Sequence, residues 1–365
     1  MHRGAVAEID RSALLHNLRT IQAKIGHKSV IAVVKADAYG HGSVEVARTL
    51  VTQGADFLAV AFVEEATLLR SAGIGVKILV LFDQSDISAF FDLNLIPVIH
   101  DKGAAVAFSH EARKRNRALP VHIKIDTGMG RMGLREESAA ADAVAIAGLE
   151  GLVLEGLLSH FSEADLADRS FAVHQLTLFK EIHAEIVKKT AGRLLCHMAN
   201  SAAVFCLPDA MLDAVRPGIA LYGYSSADGS FGLEPVMKIK TRVLAVRNLP
   251  AGTPVSYGRT FVTKRKSRIA VVSLGYADGY NRLFSNNAEM LVAGHRVPVV
   301  GRVCMDLTML DVTDADRVSE GDEVVILGAQ NGQVITAAEL SRRSGTIPYE
   351  ILTSLGSRSR REYVL

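Results

Sequence analysis

Residues 33–42 read VVKADAYGHG, so Lys35 ends an apolar run and a polar, glycine-containing turn follows at once. An ammonium is costly to desolvate there; desolvation lowers its pKa and frees the amine as a nucleophile. Such an amine can form a Schiff base with a substrate carbonyl or with pyridoxal phosphate. The plain alternative is a lysine that snorkels its head into solvent. Other apolar runs end in the same manner. One closes on Lys124 and Asp126, then TGMGRMG with Arg131. Others end at Ser159 and His160, at Asn200 and Ser201, and at Arg216 and Gly218, while Asp37 and Tyr39 come directly after Lys35. One such residue means little. Their agreement predicts a single polar face built from strand ends.

Chemistry collects at the C-terminal strand ends in a (β/α)8 barrel. Eight candidate strands lie at 30–35, 57–61, 77–82, 96–100, 121–126, 152–160, 194–199 and 214–222. Between them, segments such as SVEVARTLVTQG and VEEATLLRSAG carry apolar residues at helical spacing and stop at glycine. That alternation implies a parallel sheet. Eight units fit a TIM barrel of the usual length, about 250 residues, better than an open doubly wound sheet. The texture changes after SSADGSFG. The runs VMKIKTRVLAV, RIAVVSLGY, EMLVAGHRVPVVG and DEVVILG are then separated by Gly, Pro and Asn turns, which predicts a mostly β C-terminal domain. The expected division is 1–232 for the barrel and 233–365 for the β domain, with the first ten or so residues packing on the latter.

The 365 residues are 49% hydrophobic and 22% charged, enough for a real core, and the formal net charge is only +2. No clustered basic excess points to nucleic acid or an anionic membrane. Cys196, Cys206 and Cys304 have no CxxC spacing, so neither a disulfide framework nor a metal site is expected. The start, MHRGAVAEID, has no apolar signal core, and runs such as VIAVV are too short to span a bilayer. A cytoplasmic protein is expected. GMGRMG satisfies the G-x-G-x-x-G pattern, but it falls in the fifth unit rather than the first. A tight glycine turn presenting Arg131 is the simpler reading.

Taken together the motifs resemble the alanine racemase family, over nearly the whole chain. The resemblance rests on AEIDRSALLHNL, VVKADAYGHG, HIKIDTGMGRMG, SHFSEAD, HMANSAA, RPGIALYG, SLGYADGY, GRVCMDLTMLDV and IPYEIL, in the family's order. It implies pyridoxal phosphate as cofactor, L- and D-alanine as substrates, a supply of D-alanine for peptidoglycan, and a homodimer with shared sites. Lys35 would hold the cofactor covalently and act as one base, with Tyr276, the first tyrosine of GYADGY, as the other. Arg216 would face the pyridine nitrogen, and His160 would hydrogen-bond Arg216 and orient toward Tyr276. Tyr39, Asn200, Ser201, the backbone at Gly218 and Ile219, and Tyr349 would bind the cofactor, chiefly its phosphate. Arg131 would meet the cofactor's phenolic oxygen and the substrate carboxylate, with Met305 offering its N–H to the latter. Lys124 is often carbamylated in the family, giving an anion that positions Arg131. Asp278 and Asp306 match the motifs as supporting or interface residues.

Two departures stand out. Asp37 replaces a frequent Asn, and the basic tail SRSRREYVL lacks an expected proline, so the tail is read as a solvated or interface segment. The rival readings are a racemase of other or broader specificity such as serine, a non-catalytic pyridoxal-phosphate-carrying barrel, and a cofactor-free Schiff-base aldolase.

Overall fold

The computed structural model describes residues 4–190, 192–225 and 231–365. Most of the SSADGSFG segment, Ser226–Ser230, lies outside the described residues. Two compact units are formed. One comprises 14–36 and the described residues of 43–234; the other comprises 4–13, 37–42 and 235–365.

The first unit is a closed parallel barrel. Its strands are Ser29–Val33, Phe57–Val60, Lys77–Val80, Ile96–Ile99, Leu119–Asp126, Leu152–Leu158, Leu195–His197 and Ala214–Val215. Each pairs with the next; the eighth returns to pair with the first. Strands such as FLAV and IPVI are buried at every position, as a sheet covered on both faces requires. Helices between them start on local signals. Asp101, for example, caps Lys102–Lys114 by accepting the Ala104 N–H at 2.8 Å. The eighth strand is shorter than its apolar run. Pro217 lacks an N–H for the ladder, and the chain enters a 3₁₀ turn at Ile219–Tyr222.

The second unit is a nine-stranded sheet, mostly antiparallel, centred on the long strand Met237–Leu249. The solvated reading of the tail is corrected here. Arg360–Val364 is a strand that pairs in parallel with Val6–Asp10, with Val6 opposite Arg360 and Ile9 opposite Tyr363. Arg361, Glu362, Tyr363 and Val364 are all only part-exposed, as a strand paired into a sheet requires. No helix among the described residues is long and apolar enough to cross a membrane.

Directly after Lys35 the chain makes one left-handed helical turn. Ala36, Asp37, Ala38 and Tyr39 have φ of +51°, +54°, +55° and +54°, and none is glycine. Such a residue costs roughly 1–2 kcal/mol, so the turn carries about 4–8 kcal/mol of strain that its surroundings must offset. The tail supplies much of the hold on 37–42. Arg361 pairs with Asp37 at 2.5 Å and donates to the carbonyls of Gly40 at 2.9 Å and Gly356 at 3.1 Å. Tyr363 donates to the His41 carbonyl at 3.2 Å. At Gly42, φ +91°, a Cβ would lie 1.9 Å from the Tyr363 hydroxyl, so a side chain there would push Tyr363 off the His41 carbonyl. Asp37 in place of Asn thus gives Arg361 a full charge to pair with.

Arg361→Ala removes one ion pair and two carbonyl hydrogen bonds, with an expected loss of about 2–4 kcal/mol. Asp37→Asn keeps a hydrogen bond and should cost about 1 kcal/mol or less. Denaturant unfolding of the two variants checks the order and size.

Candidate active site

Two chain segments bring three cations around one ring at the barrel mouth. Lys35 Nζ lies 5.3 Å from the Phe82 ring centroid, Lys124 Nζ 5.5 Å and the Arg131 guanidinium carbon 5.5 Å. Phe82 ends the third apolar run and was not singled out in the sequence, where it reads as core. Burial lowers the pKa of Lys35; the Arg131 charge adds to this, and Glu65 opposes it. Lys124, also buried, is pulled from 10.5 to about 8 by burial, then by Arg131 and Arg216, with Asp126 opposing and Lys35 contributing.

Carboxylates near these cations are already engaged. One Asp126 oxygen accepts the N–H groups of Gly128, Met129 and Gly130 at 3.0, 2.9 and 3.1 Å, which shapes the loop presenting Arg131. Glu65 accepts from Ala36, Ala61 and Phe62 at 2.6, 2.6 and 3.2 Å. The GMGRMG loop opens no helix; it runs into the short strand Leu134–Arg135. The helix N-terminus that a dinucleotide site needs is therefore not there.

Arg216 is buried and held without a carboxylate. Its Nη1 donates to His197 Nδ1 at 2.7 Å and the His197 carbonyl at 2.5 Å. Nη2 donates to the Ser159 carbonyl at 2.5 Å, with longer contacts to the Met198 carbonyl at 3.3 Å and His160 Nδ1 at 3.4 Å. Its Nε–H has no acceptor among the described residues. The expected His160–Arg216 contact is present but is the weakest of the set. Burial, then the Arg216 charge, holds His160 well below the usual histidine range, so it is a neutral acceptor. The strongest imidazole partner of Arg216, His197, was missed by the sequence reading. So was His122, whose Nδ1 is 2.8 Å from His197 Nε2. The available signal was positional: they open HIKID and HMANSAA, and His122 stands two residues before Lys124, hence on the same strand face.

Ser201 joins the seventh and eighth strand ends. Its hydroxyl oxygen accepts from the Gly218 N–H at 2.9 Å and the Ala220 N–H at 3.2 Å, which leaves the hydroxyl proton to donate. Gly218 N–H is therefore engaged, whereas Ile219, first in its 3₁₀ turn, has an N–H with no acceptor inside that turn. Asn200 is the N-cap of Ser201–Cys206, accepting from Ala203 N–H at 3.0 Å.

In the other unit, Tyr39 and Tyr349 have ring centroids 5.9 Å apart, and burial, then the Tyr349 hydroxyl, raises the Tyr39 pKa. Tyr276 begins a 3₁₀ turn, not a strand, and is 40% exposed. Its N–H donates to the Cys304 carbonyl at 3.0 Å, and Ala277 N–H donates to the Met305 carbonyl at 2.9 Å, so GYADGY and CMD are knit together. Asp278 closes the turn by accepting from Gly275 N–H at 2.8 Å. Met305, 54% exposed, and Asp306 line an open cleft of about 490 Å³ with Tyr257 and Leu307.

A barrel mouth that lowers the pKa of its lysine amines and carries spare N–H and O–H donors beside them defines an enzyme class, the barrel enzymes that work through a lysine amine. The family follows from comparison. The family model for the alanine racemase N-terminal domain matches residues 9–226, and that for the C-terminal domain matches 236–363. An alanine racemase of Thermodesulfovibrio yellowstonii is 49% identical, with 100% of this chain and 99% of the relative covered. The Bacillus anthracis alanine racemase with bound L-Ala-P superposes with a TM-score of 0.92 at 34% identity, over 100% of this chain and 96% of that one. The Bartonella henselae alanine racemase with covalently bound pyridoxal phosphate gives a TM-score of 0.90 at 33% identity over 100% of both chains. The chain belongs to the alanine racemase family.

Because Lys124 is neutral above about 8, an amine-directed acylating reagent in bicarbonate-free buffer should modify it with a half-maximal rate near that pH rather than near 10.5. Arg131→Met removes a charge that disfavours the ammonium, so the midpoint should rise. Mass spectrometry of the Lys124 peptide across pH reads both.

Proposed function

We propose that the protein interconverts L- and D-alanine with pyridoxal phosphate as cofactor, and that its D-alanine serves peptidoglycan synthesis. The observation that carries this reading is the pairing of a desolvated Lys35 amine with an Arg216 guanidinium whose other four N–H groups are spoken for and whose Nε–H is spare. An N–H donor suits an unprotonated pyridine nitrogen, and a fixed positive charge keeps that nitrogen unprotonated. The Ser201 hydroxyl and Ile219 N–H suit a phosphate without adding charge. These residues fit the cofactor. When bound, it delocalises the electron pair left behind as the α-hydrogen departs as a proton.

The residues do the rest. Lys35 Nζ, its pKa lowered by burial and by Arg131, takes the proton from D-alanine and returns it from the same face. Tyr276 Oη does so for L-alanine on the opposite face. Each turnover thus moves one proton off one face and one onto the other, with no net change. Arg131 and the Met305 N–H orient the substrate carboxylate. A carbamylated Lys124 would turn the repulsion between Lys124 and Arg131 into attraction, and a free amine near neutrality is what that modification needs. The relatives are named for alanine, which favours it over serine.

Tyr276 is proposed to act on the partner's barrel in a homodimer. Support comes from exposed apolar side chains on the β unit, Met305 at 54% beside the Tyr276 turn and Tyr257 at 68% in the same cleft as Met305.

Purified protein with pyridoxal phosphate should convert L-alanine to the racemic mixture in a chiral assay. Lys35→Ala should lose this and the visible cofactor band while keeping its unfolding profile; full activity without added amine would overturn the assignment. Mixing Lys35→Ala with Tyr276→Phe after dissociation tests the shared site. Random pairing makes about half the dimers mixed, each with one intact site, so about a quarter of all sites should recover. No recovery with proven heterodimers would place the site within one subunit.

A further inference from the structure

His122 and His197 are wholly buried inside the barrel, and the proposed chemistry uses neither. Hydrogen-bond direction fixes their protons. A guanidinium has five donors and no acceptor, so the 2.7 Å contact from Arg216 Nη1 requires a lone pair on His197 Nδ1. The single proton of a neutral His197 is then on Nε2, donated to His122 Nδ1 at 2.8 Å. That nitrogen must in turn be a lone pair, which puts the His122 proton on its own Nε2. An extra proton on His197 would set donor against donor at Arg216. One on His122 would do the same at His197. Burial and the nearby charges act in the same sense. His122 is pulled down to about 3 by burial, then Lys77 and Arg216, and His197 falls well below the usual range by burial, then Arg216 and His122.

The backbone makes room for this arrangement. A Cβ on Gly156 would lie 2.6 Å from His122 Cε1 and 2.7 Å from its Nδ1, so a side chain on the neighbouring strand would displace the accepting nitrogen.

We propose that His122 is a positioning residue for Arg216: by accepting the His197 Nε2 proton it locks His197 in the tautomer whose Nδ1 holds the guanidinium at the barrel mouth. The structural part stands by itself; its consequence for turnover rests on the proposed racemase activity. His122→Phe removes the acceptor. His197 then loses its reason to carry the proton on Nε2, and the other tautomer would point an N–H at Arg216. His122→Asn places an amide oxygen close to the lost Nδ1 and should restore the lock.

The test is nitrogen NMR of histidine-labelled holoenzyme. In the wild type, His197 should show a pyridine-type Nδ1 and a pyrrole-type Nε2, with His122 also bearing its proton on Nε2. His122→Phe should abolish the single-tautomer pattern, shift the visible cofactor band and lower kcat by about tenfold with KM little changed; His122→Asn should retain the pattern and most of kcat. A protonated His197 Nδ1 in the wild type overturns the proposal and needs no variant. So does a His122→Phe enzyme with unchanged His197 signals. Correct tautomers in a protein that does not racemise alanine would instead overturn the functional reading and leave the relay standing.

Discussion

Like charges held together at one barrel mouth are the constraint on which the site depends. Beyond burial, the charges of Arg131 and Arg216 lower the pKa of Lys124, and the Arg131 charge lowers that of Lys35, while both Glu65 oxygens and one Asp126 oxygen accept backbone N–H groups. Each cation relieves the repulsion differently. The two lysines have lowered pKa values, so each gives up its proton at a lower pH than an exposed lysine does. Arg131 is exposed and spreads its charge over Phe82 and solvent. Arg216, which cannot shed a proton, is solvated by three carbonyls and imidazole lone pairs. An incompletely neutralised mouth is a prepared site for a phosphate or carboxylate, because the repulsion is present before any anion arrives.

Strain beside the reactive amine is the second element. Four non-glycine residues in the left-handed region follow Lys35. A regular right-handed turn would send the chain the other way. The Arg361 and Tyr363 contacts to 37–42 are part of what restrains it.

Much of this was legible in the sequence because it depends on short-range patterns. Eight apolar runs gave eight barrel strands, and their polar ends included Lys35, Lys124 and Arg216. The unread parts depend on contacts distant in sequence. Nothing in KADAY signals a left-handed turn, since such strain is tolerated only when other segments over-determine it. SRSRREYVL reads as a solvated or interface segment because of its charges, and its partner strand Val6–Asp10 lies some 350 residues away in sequence. His122 and His197 sit in apolar runs where an imidazole looks like a lone polar intruder. Their pairing appears only when the fifth and seventh strands share an interior. Phe82 at a strand end is indistinguishable from core until three cations are seen around it.

The pairing of Val6–Asp10 with both Met237–Leu249 and Arg360–Val364 has a consequence for how the chain is made. During synthesis the barrel strands emerge in the order in which they pair, so closure can begin while the ribosome is still reading the second half. The β sheet has no such option: its first strand waits for a partner some 350 residues downstream, and the pairing forms only once Arg360–Val364 has been translated and has left the ribosome. Until then the segment after Lys35 lacks Arg361 and Tyr363, so a nascent chain holds the reactive lysine before it holds the brace for the turn beside it.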